Sequence, residues 1–151
     1  MQFIPSKINR FLMFKLPAAW IAGVRVKEIT DEKAVVTARH KWINQNPFQS
    51  MYFAVLAMGA ELSTGILVMK KIQESNRNTS MLVTHIEADF TKKARGKIRF
   101  VCEEGNLIDE KIKRAVETGE GVTFNLNSKA FDEKNDMVCH FVFQWSIKRK
   151  A

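Results

Sequence analysis

Glu61 is the single carboxylate in an otherwise apolar helical run from Met51 to Lys71. Burying an ionised carboxylate among Met, Leu, Ile and Val removes hydration that nothing apolar replaces, so the group must find a hydrogen-bonding partner or border a polar cleft. A carboxylate in such a setting can act as a general base. It can equally be a structural acid, tied to a strand hydroxyl or a basic side chain, with Thr84, His85 and Lys93 as the candidate partners. On a helical wheel, Ser50, Ala54, Ala57, Met58, Thr64, Gly65 and Val68 fall within roughly 60° of Glu61. Small residues beside the acid leave space for a ligand chain or for water, or else let the helix press closely on a sheet.

The run is entered through Asn46-Pro47-Phe48-Gln49-Ser50. Asn46 before Pro47 reads as an N-cap with proline at the first helical position, and Ser50 could instead cap a helix that starts later. As a functional group, the Asn46 amide would orient a carbonyl or a water. Tyr52 either donates a hydrogen bond or packs with its hydroxyl at an edge. His40, His85 and His140 are far apart and show no ligand spacing, so neither a metal nor a cofactor is expected. Cys102 and Cys139 sit singly in strand-like segments, as expected of buried thiols in a reducing, cytoplasmic compartment. Ser63-Thr64-Gly65 lies inside the helical run and not at a strand-to-helix elbow, which gives no nucleophilic serine.

These residues need a scaffold, and 151 residues fit one domain with a single core. About Pro5 to Trp20 reads as a helix laid over that core, its apolar side carrying Ile8, Phe11, Leu12, Leu16 and Trp20. Val24–Ile29 and Ala34–His40 form a hairpin around Thr30-Asp31-Glu32-Lys33. After the central helix come strands over Met81–Phe90 and Gly96–Glu103. A short helix capped by Asn106 and Asp109 follows, and Gly119 and Gly121 end it. The alternation from Val122 to Ala130 and from Met137 to Ile147 gives two more strands. A helix apolar on nearly every side must be enclosed, so the class is α+β, an antiparallel sheet wrapped around one long helix.

Lys and Arg outnumber Asp and Glu 24 to 16, a formal charge of +8. That balance favours anionic partners, yet the cations are scattered except at Lys92–Arg99 and the Lys148-Arg149-Lys150 end. Strand alternation places Lys93, Arg95, Lys97 and Arg99 on one side, with no aromatic residue among them to stack on bases, so no nucleic acid is expected. Glu61, Ser63 and Thr64 interrupt the apolar run and Lys70-Lys71 closes it, which reads as a buried helix and not a membrane span. For residues 1–20 a helix laid over the core is the reading preferred to a peripheral membrane helix, which stays the alternative, so membrane contact is not the expectation.

The element order and two motifs resemble the hotdog-fold acyl-coenzyme A thioesterases, in particular the phenylacetyl-coenzyme A type and its thioesterase-like relatives. In that family the central helix is entered through Asn-x-x-Gly-x-x-His-Gly-Gly, with an acid two turns later. Asn46, Gln49, Tyr52, Phe53 and Ala54 occupy that stretch here, and Glu61 stands at the acid. Phe90-Thr91-Lys92-Lys93-Ala94-Arg95-Gly96 is similar to the family's second segment, an aromatic residue followed by basic residues and Ala-Arg-Gly. The resemblance implies a single hotdog domain over 1–151; one copy of such a sheet exposes an edge and the helix's flanks, so a homodimer, or a pair of dimers, with the site at the seam is expected. It implies hydrolysis of an acyl-coenzyme A thioester, with Glu61 and Asn46 as catalytic residues; the apolar lining and small residues around Glu61 suggest a medium or long acyl chain. The backbone N–H groups of Phe53 and Ala54 would hold the oxyanion, and Tyr52, Lys93, Arg95 and Gly96 would bind substrate. Gln49, Tyr52 and Phe53 depart from the family pattern, which leaves a second reading, a non-catalytic hotdog domain that binds an acyl-coenzyme A or lipid-like ligand.

Overall fold

The computed structural model describes residues 1–150. The chain begins with two helices, α1 (Pro5–Lys15) and α2 (Pro17–Ile21), where one was expected up to Trp20. Pro17 is the cause: the residue before a proline is pushed out of the helical region, and Leu16 sits at φ −136°, ψ 58°. Helix α1 buries Ile8 and Leu12. Its Asn9 amide pins it to the first strand by bonding both the N–H and the carbonyl of Val26.

Strands β1 (Arg25–Ile29) and β2 (Ala34–Arg39) form the expected hairpin, and a 3₁₀ turn over Trp42–Asn44 leads towards the central helix α3 (Phe53–Glu74). Then come β3 (Thr79–Phe90), β4 (Lys97–Cys102), α4 (Gly105–Thr118), β5 (Val122–Phe131) and β6 (Met137–Arg149). The six strands make one antiparallel sheet in the order β1-β2-β4-β5-β6-β3. Its concave face wraps α3, giving the hotdog architecture. The alternation on β4, β5 and β6 turns Phe100, Leu126, Phe141, Phe143 and Ile147 into the core against Ile66, Leu67 and Val68 of the helix. Contact is closest at Gly59, where a Cβ would come within 2.4 Å of the Phe100 ring, so only glycine lets α3 seat at this depth on β4. The buried hydroxyls of Ser63 and Ser128 satisfy one another across the helix–sheet contact at 2.7 Å.

Two cap assignments are corrected. Helix α3 starts at Phe53, with Tyr52 in the cap position and no side chain capping it, so neither Asn46 nor Ser50 is an N-cap. The asparagine is instead engaged in its own loop, bonded to Phe48 and Ser50. Helix α4 starts at Gly105 after Glu104, and Asn106 lies inside it. Asp109 pairs with the buried Lys71 of α3 at 3.0 Å, because docking of α4 on α3 outweighs local capping. The expected single-sided basic strip is also divided. Lys93 and Arg95 fall in the turn before β4, whereas Lys97 and Arg99 lie on it, on the face turned away from the helix, with Arg99 bonded to Asn135 and stacked over Phe131.

β3 is an edge strand, paired only with β6. Helix α3 packs mainly on β2, β4 and β5, so the residues from Thr84 to Phe90 remain exposed, including Ile86 and Phe90, whose register with Phe143 and Cys139 turns them to the helix side. This stretch of inner sheet is left bare.

Candidate functional site

The loop Gln45–Met51 is closed by a β-bridge at its ends. Asn46 shapes everything between them. Its N–H donates to the Ser50 carbonyl (2.8 Å), its Oδ1 accepts from the Phe48 and Ser50 N–H groups (2.9 and 3.3 Å), and its Nδ2 donates to the Ser50 hydroxyl (3.0 Å). Gln49 is forced to a left-handed φ of 59°, a conformation that glycine adopts at no steric cost. Its carbonyl accepts from Arg95 Nε at 3.1 Å. Met51 N–H then donates to the Ala94 carbonyl at 2.8 Å, which fastens the loop to the turn before β4.

That turn is shaped by Gly96 at φ 70°, where a Cβ would lie 2.7 Å from Glu133 Oε1, the atom that also accepts from Lys97 N–H. Arg95 and Gly96 therefore both hold backbone in place. Lys93 reaches back over the Phe48 ring at 5.9 Å.

The loop delivers Tyr52 to the start of α3 at φ −63°, ψ 139°, with its N–H on the Asn44 carbonyl. The Tyr52 carbonyl accepts from Val55 and Leu56, leaving the N–H groups of Phe53 and Ala54 without an acceptor among the described residues. They stand at the positive end of a 22-residue helix dipole. In front of them opens a cleft of about 500 Å³ lined by Asn46, Phe48, Tyr52, Phe53, Phe90 and Lys93, among others. Four of the residues singled out in the sequence, Asn46, Tyr52, Phe53 and Lys93, thus meet at one cleft; Ala54 follows Phe53 on the helix but does not line it. Tyr52 and Phe53 stand edge-to-face at 4.9 Å, and Phe53 continues to Phe90 at 6.4 Å and Phe90 to Phe141 at 5.5 Å. Phe48 and Phe90 were not singled out as lining residues in the sequence, because a lone aromatic at a loop or strand end carries no periodic signal.

Glu61 is not in that cleft but two turns along the same face of α3. Its carboxylate lies beside Gly65 and the Trp145 ring: a Cβ on Gly65 would meet Glu61 Oε1 at 3.1 Å and Trp145 Cζ2 at 3.2 Å. Trp145 is fixed there by donating to Thr64 Oγ1 at 3.0 Å. None of the three candidate partners reaches the acid. Thr84 bonds Gln144, His85 bonds Glu87, and Lys93 lies over Phe48. The Glu61 side chain accepts no hydrogen bond among the described residues, and burial pushes its carboxyl above the usual range. The group is nonetheless not sealed. The sole fully buried side-chain polar atom without a partner among these residues is His40 Nε2, so solvent reaches the carboxylate oxygens. Trp145 was legible as an inward position on β6, but its place beside Glu61 depends on how the helix crosses the sheet.

Cys102 and Cys139 are unpaired and buried, each thiol pushed up to about 12 by loss of hydration. No grouping of His, Cys, Asp and Glu among the described residues could hold a metal ion.

Among solved structures, the chain is similar to a probable thioesterase of unknown function from Pseudomonas aeruginosa, with TM-score 0.82, 22% identity and 97% of each chain covered. A protein of unknown function from Chlorobaculum tepidum superposes with TM-score 0.83 at 18% identity, covering 96% of this chain and 94% of that one. A Haemophilus influenzae thioesterase gives 0.73 at 13% identity, covering 99% and 93%. At such identities the likeness establishes the shared fold. No curated protein sequence matches. Residues 6–147 match a family defined so far only as a domain of unknown function, DUF4442, and the chain belongs to that family.

Proposed function

We propose that this chain is an acyl-coenzyme A thioesterase of the hotdog type, acting in the cytoplasm as a dimer. The observation that carries this reading is a half-buried, unpaired acid on the same helix whose uncapped amides open into a cleft. The amides of Phe53 and Ala54 would hold the thioester carbonyl oxygen, and the same donors would stabilise it as charge develops. Glu61, with its proton affinity raised by burial, would take a proton from water. The hydroxide adds to the carbonyl carbon, the C–S bond breaks, and the coenzyme A thiolate leaves and is protonated.

Reach favours water as the nucleophile over direct attack by the acid. Ala54 and Glu61 are seven residues apart, about 10 Å along the axis, more than one carboxylate arm spans. Asn46 has its amide committed to the loop, so its contribution would be to set the geometry of the helix start. Lys93, with Arg95 beside it, would meet the coenzyme A phosphates.

Strand β3 supports the dimer reading. A 12-residue edge strand with an exposed apolar inner face is a template for a second copy, and pairing β3 with β3 would cover Ile86 and Phe90 and close the space beside Glu61. A panel of acyl-coenzyme A substrates read with a thiol-detecting dye, on wild type and Glu61→Gln, tests the proposal. Turnover is expected to fall at least 100-fold in the variant, the low end for a general base. Activity unchanged by the substitution would remove Glu61 from the chemistry. Tight acyl-coenzyme A binding without turnover in wild type would establish the ligand-binding reading, which the crowding of the cleft by Phe53 and Phe90 favours.

A further inference from the structure

Helices α1 and α2 carry an apolar surface that the core does not use. Phe14 is 73% exposed, Ile21 61% and Trp42 83%, with Leu16 and Ile43 also exposed. The Asn44 amide donates to the Ala22 carbonyl at 2.9 Å, which brings the Trp42–Asn44 turn against the end of α2, so Ile21, Trp42 and Ile43 form one patch. Phe14 near the end of α1 and Leu16 at the α1–α2 bend add further exposed apolar side chains on these two helices. On the other side, Asn44 O accepts from Tyr52 N–H, so the patch borders the mouth of the cleft.

Its charge is one-sided. Residues 1–27 contain no Asp or Glu, against Lys7, Arg10, Lys15, Arg25 and Lys27. Among the described residues Arg10, Lys15 and Lys41 have no carboxylate partner, so no acid of the chain neutralises them. We infer that this surface docks on an anionic phospholipid bilayer: Trp42, Phe14 and Ile21 enter the headgroup–acyl boundary, and Arg10, Lys15 and Lys41 face the lipid phosphates. Protruding aromatic and aliphatic side chains ringed by free cations match such an interface. A second copy of the chain is the poorer occupant, because a two-fold contact would bring these cations against themselves. Sequence alone favoured no membrane contact, since Ile8 and Leu12 account for one side of α1; the exposed side and the Trp42 turn come together only in the fold. The inference is independent of hydrolysis.

The test uses the full chain with vesicles of phosphatidylcholine, with and without phosphatidylglycerol, read by co-sedimentation and by tryptophan emission. Trp145 is buried and Trp20 lies under Arg25 at 3.4 Å, so a blue shift reports Trp42. Binding to the anionic vesicles alone, weakened by salt, is expected. Trp42→Ser should weaken partitioning about tenfold, and Lys15→Glu at least about fivefold, with melting temperatures unchanged. No binding, equal binding to both vesicle types, or binding untouched by Trp42→Ser would each overturn the inference. So would a change of oligomeric mass in Trp42→Ser without vesicle binding, which would assign the patch to a second copy.

Discussion

Replacing Phe53 with proline deletes one candidate oxyanion donor and leaves the helix intact. Proline is tolerated at the first helical position, where its missing N–H costs no intrahelical bond, and the Phe53 N–H has no acceptor to lose. The residue before a proline must be extended, and Tyr52 already is, at φ −63°, ψ 139°. Stability is therefore expected to stay within about 1 kcal/mol of wild type once the lost phenyl ring is matched by a Phe53→Ala control, since no hydrogen bond or backbone geometry changes. Losing one oxyanion donor costs about 3–4 kcal/mol in the transition state, or roughly 100- to 1,000-fold in kcat. The assay is thioester hydrolysis by Phe53→Pro, Phe53→Ala and wild type, each checked by thermal melting. Phe53→Ala should keep most of the activity, because it retains the amide. If Phe53→Pro is folded and turns over as fast as Phe53→Ala, the helix start does not hold the oxyanion and the proposed site is elsewhere.

Titration gives a second prediction. Burial raises the Glu61 pKa, so the folded state holds a proton that the unfolded state has already released. Its stabilising contribution is complete below the ordinary glutamate value and is lost as pH rises through the folded value. Glu61→Gln should therefore gain stability relative to wild type between pH 4 and pH 7 in urea melts, and the acid limb of kcat/KM should lie above an ordinary glutamate pKa; equal stability differences at both pH values would refute this. Gln49→Gly should stabilise the protein by about 0.5–1 kcal/mol, because it relieves the left-handed φ of 59° at the cost of some chain entropy, and a loss of stability in denaturant melts would show that the Gln49 side chain matters more than its backbone. Cys102 and Cys139, buried with thiols pushed up to about 12, should not react with a thiol reagent in the native protein and should react within the time of unfolding in guanidinium.

Sequence by itself determined the elements and their wrapping. Two-residue alternation on β5 and β6 must put Leu126, Phe141 and Phe143 on one face, and a run apolar on all sides must be enclosed, so an antiparallel sheet wrapped around one helix was readable without coordinates, and the resemblance identified that arrangement as a hotdog fold. The solitary acid in that run was readable too, because composition alone makes Glu61 an anomaly. What tertiary structure decided was every relation between distant residues. Capping at Asn46 and Asn106 is a local inference, and it failed where a loop bridge and the Lys71–Asp109 pair offered the same groups better partners. The basic strip divided because β4 begins only after the Gly96 turn, a boundary set by Glu133 from another hairpin. The partners proposed for Glu61 in its structural role all lie elsewhere, and its neighbour is Trp145, some eighty positions on, brought there by the crossing of helix over sheet. A sequence states which side chains are costly to bury; only packing states which neighbours, if any, meet that cost.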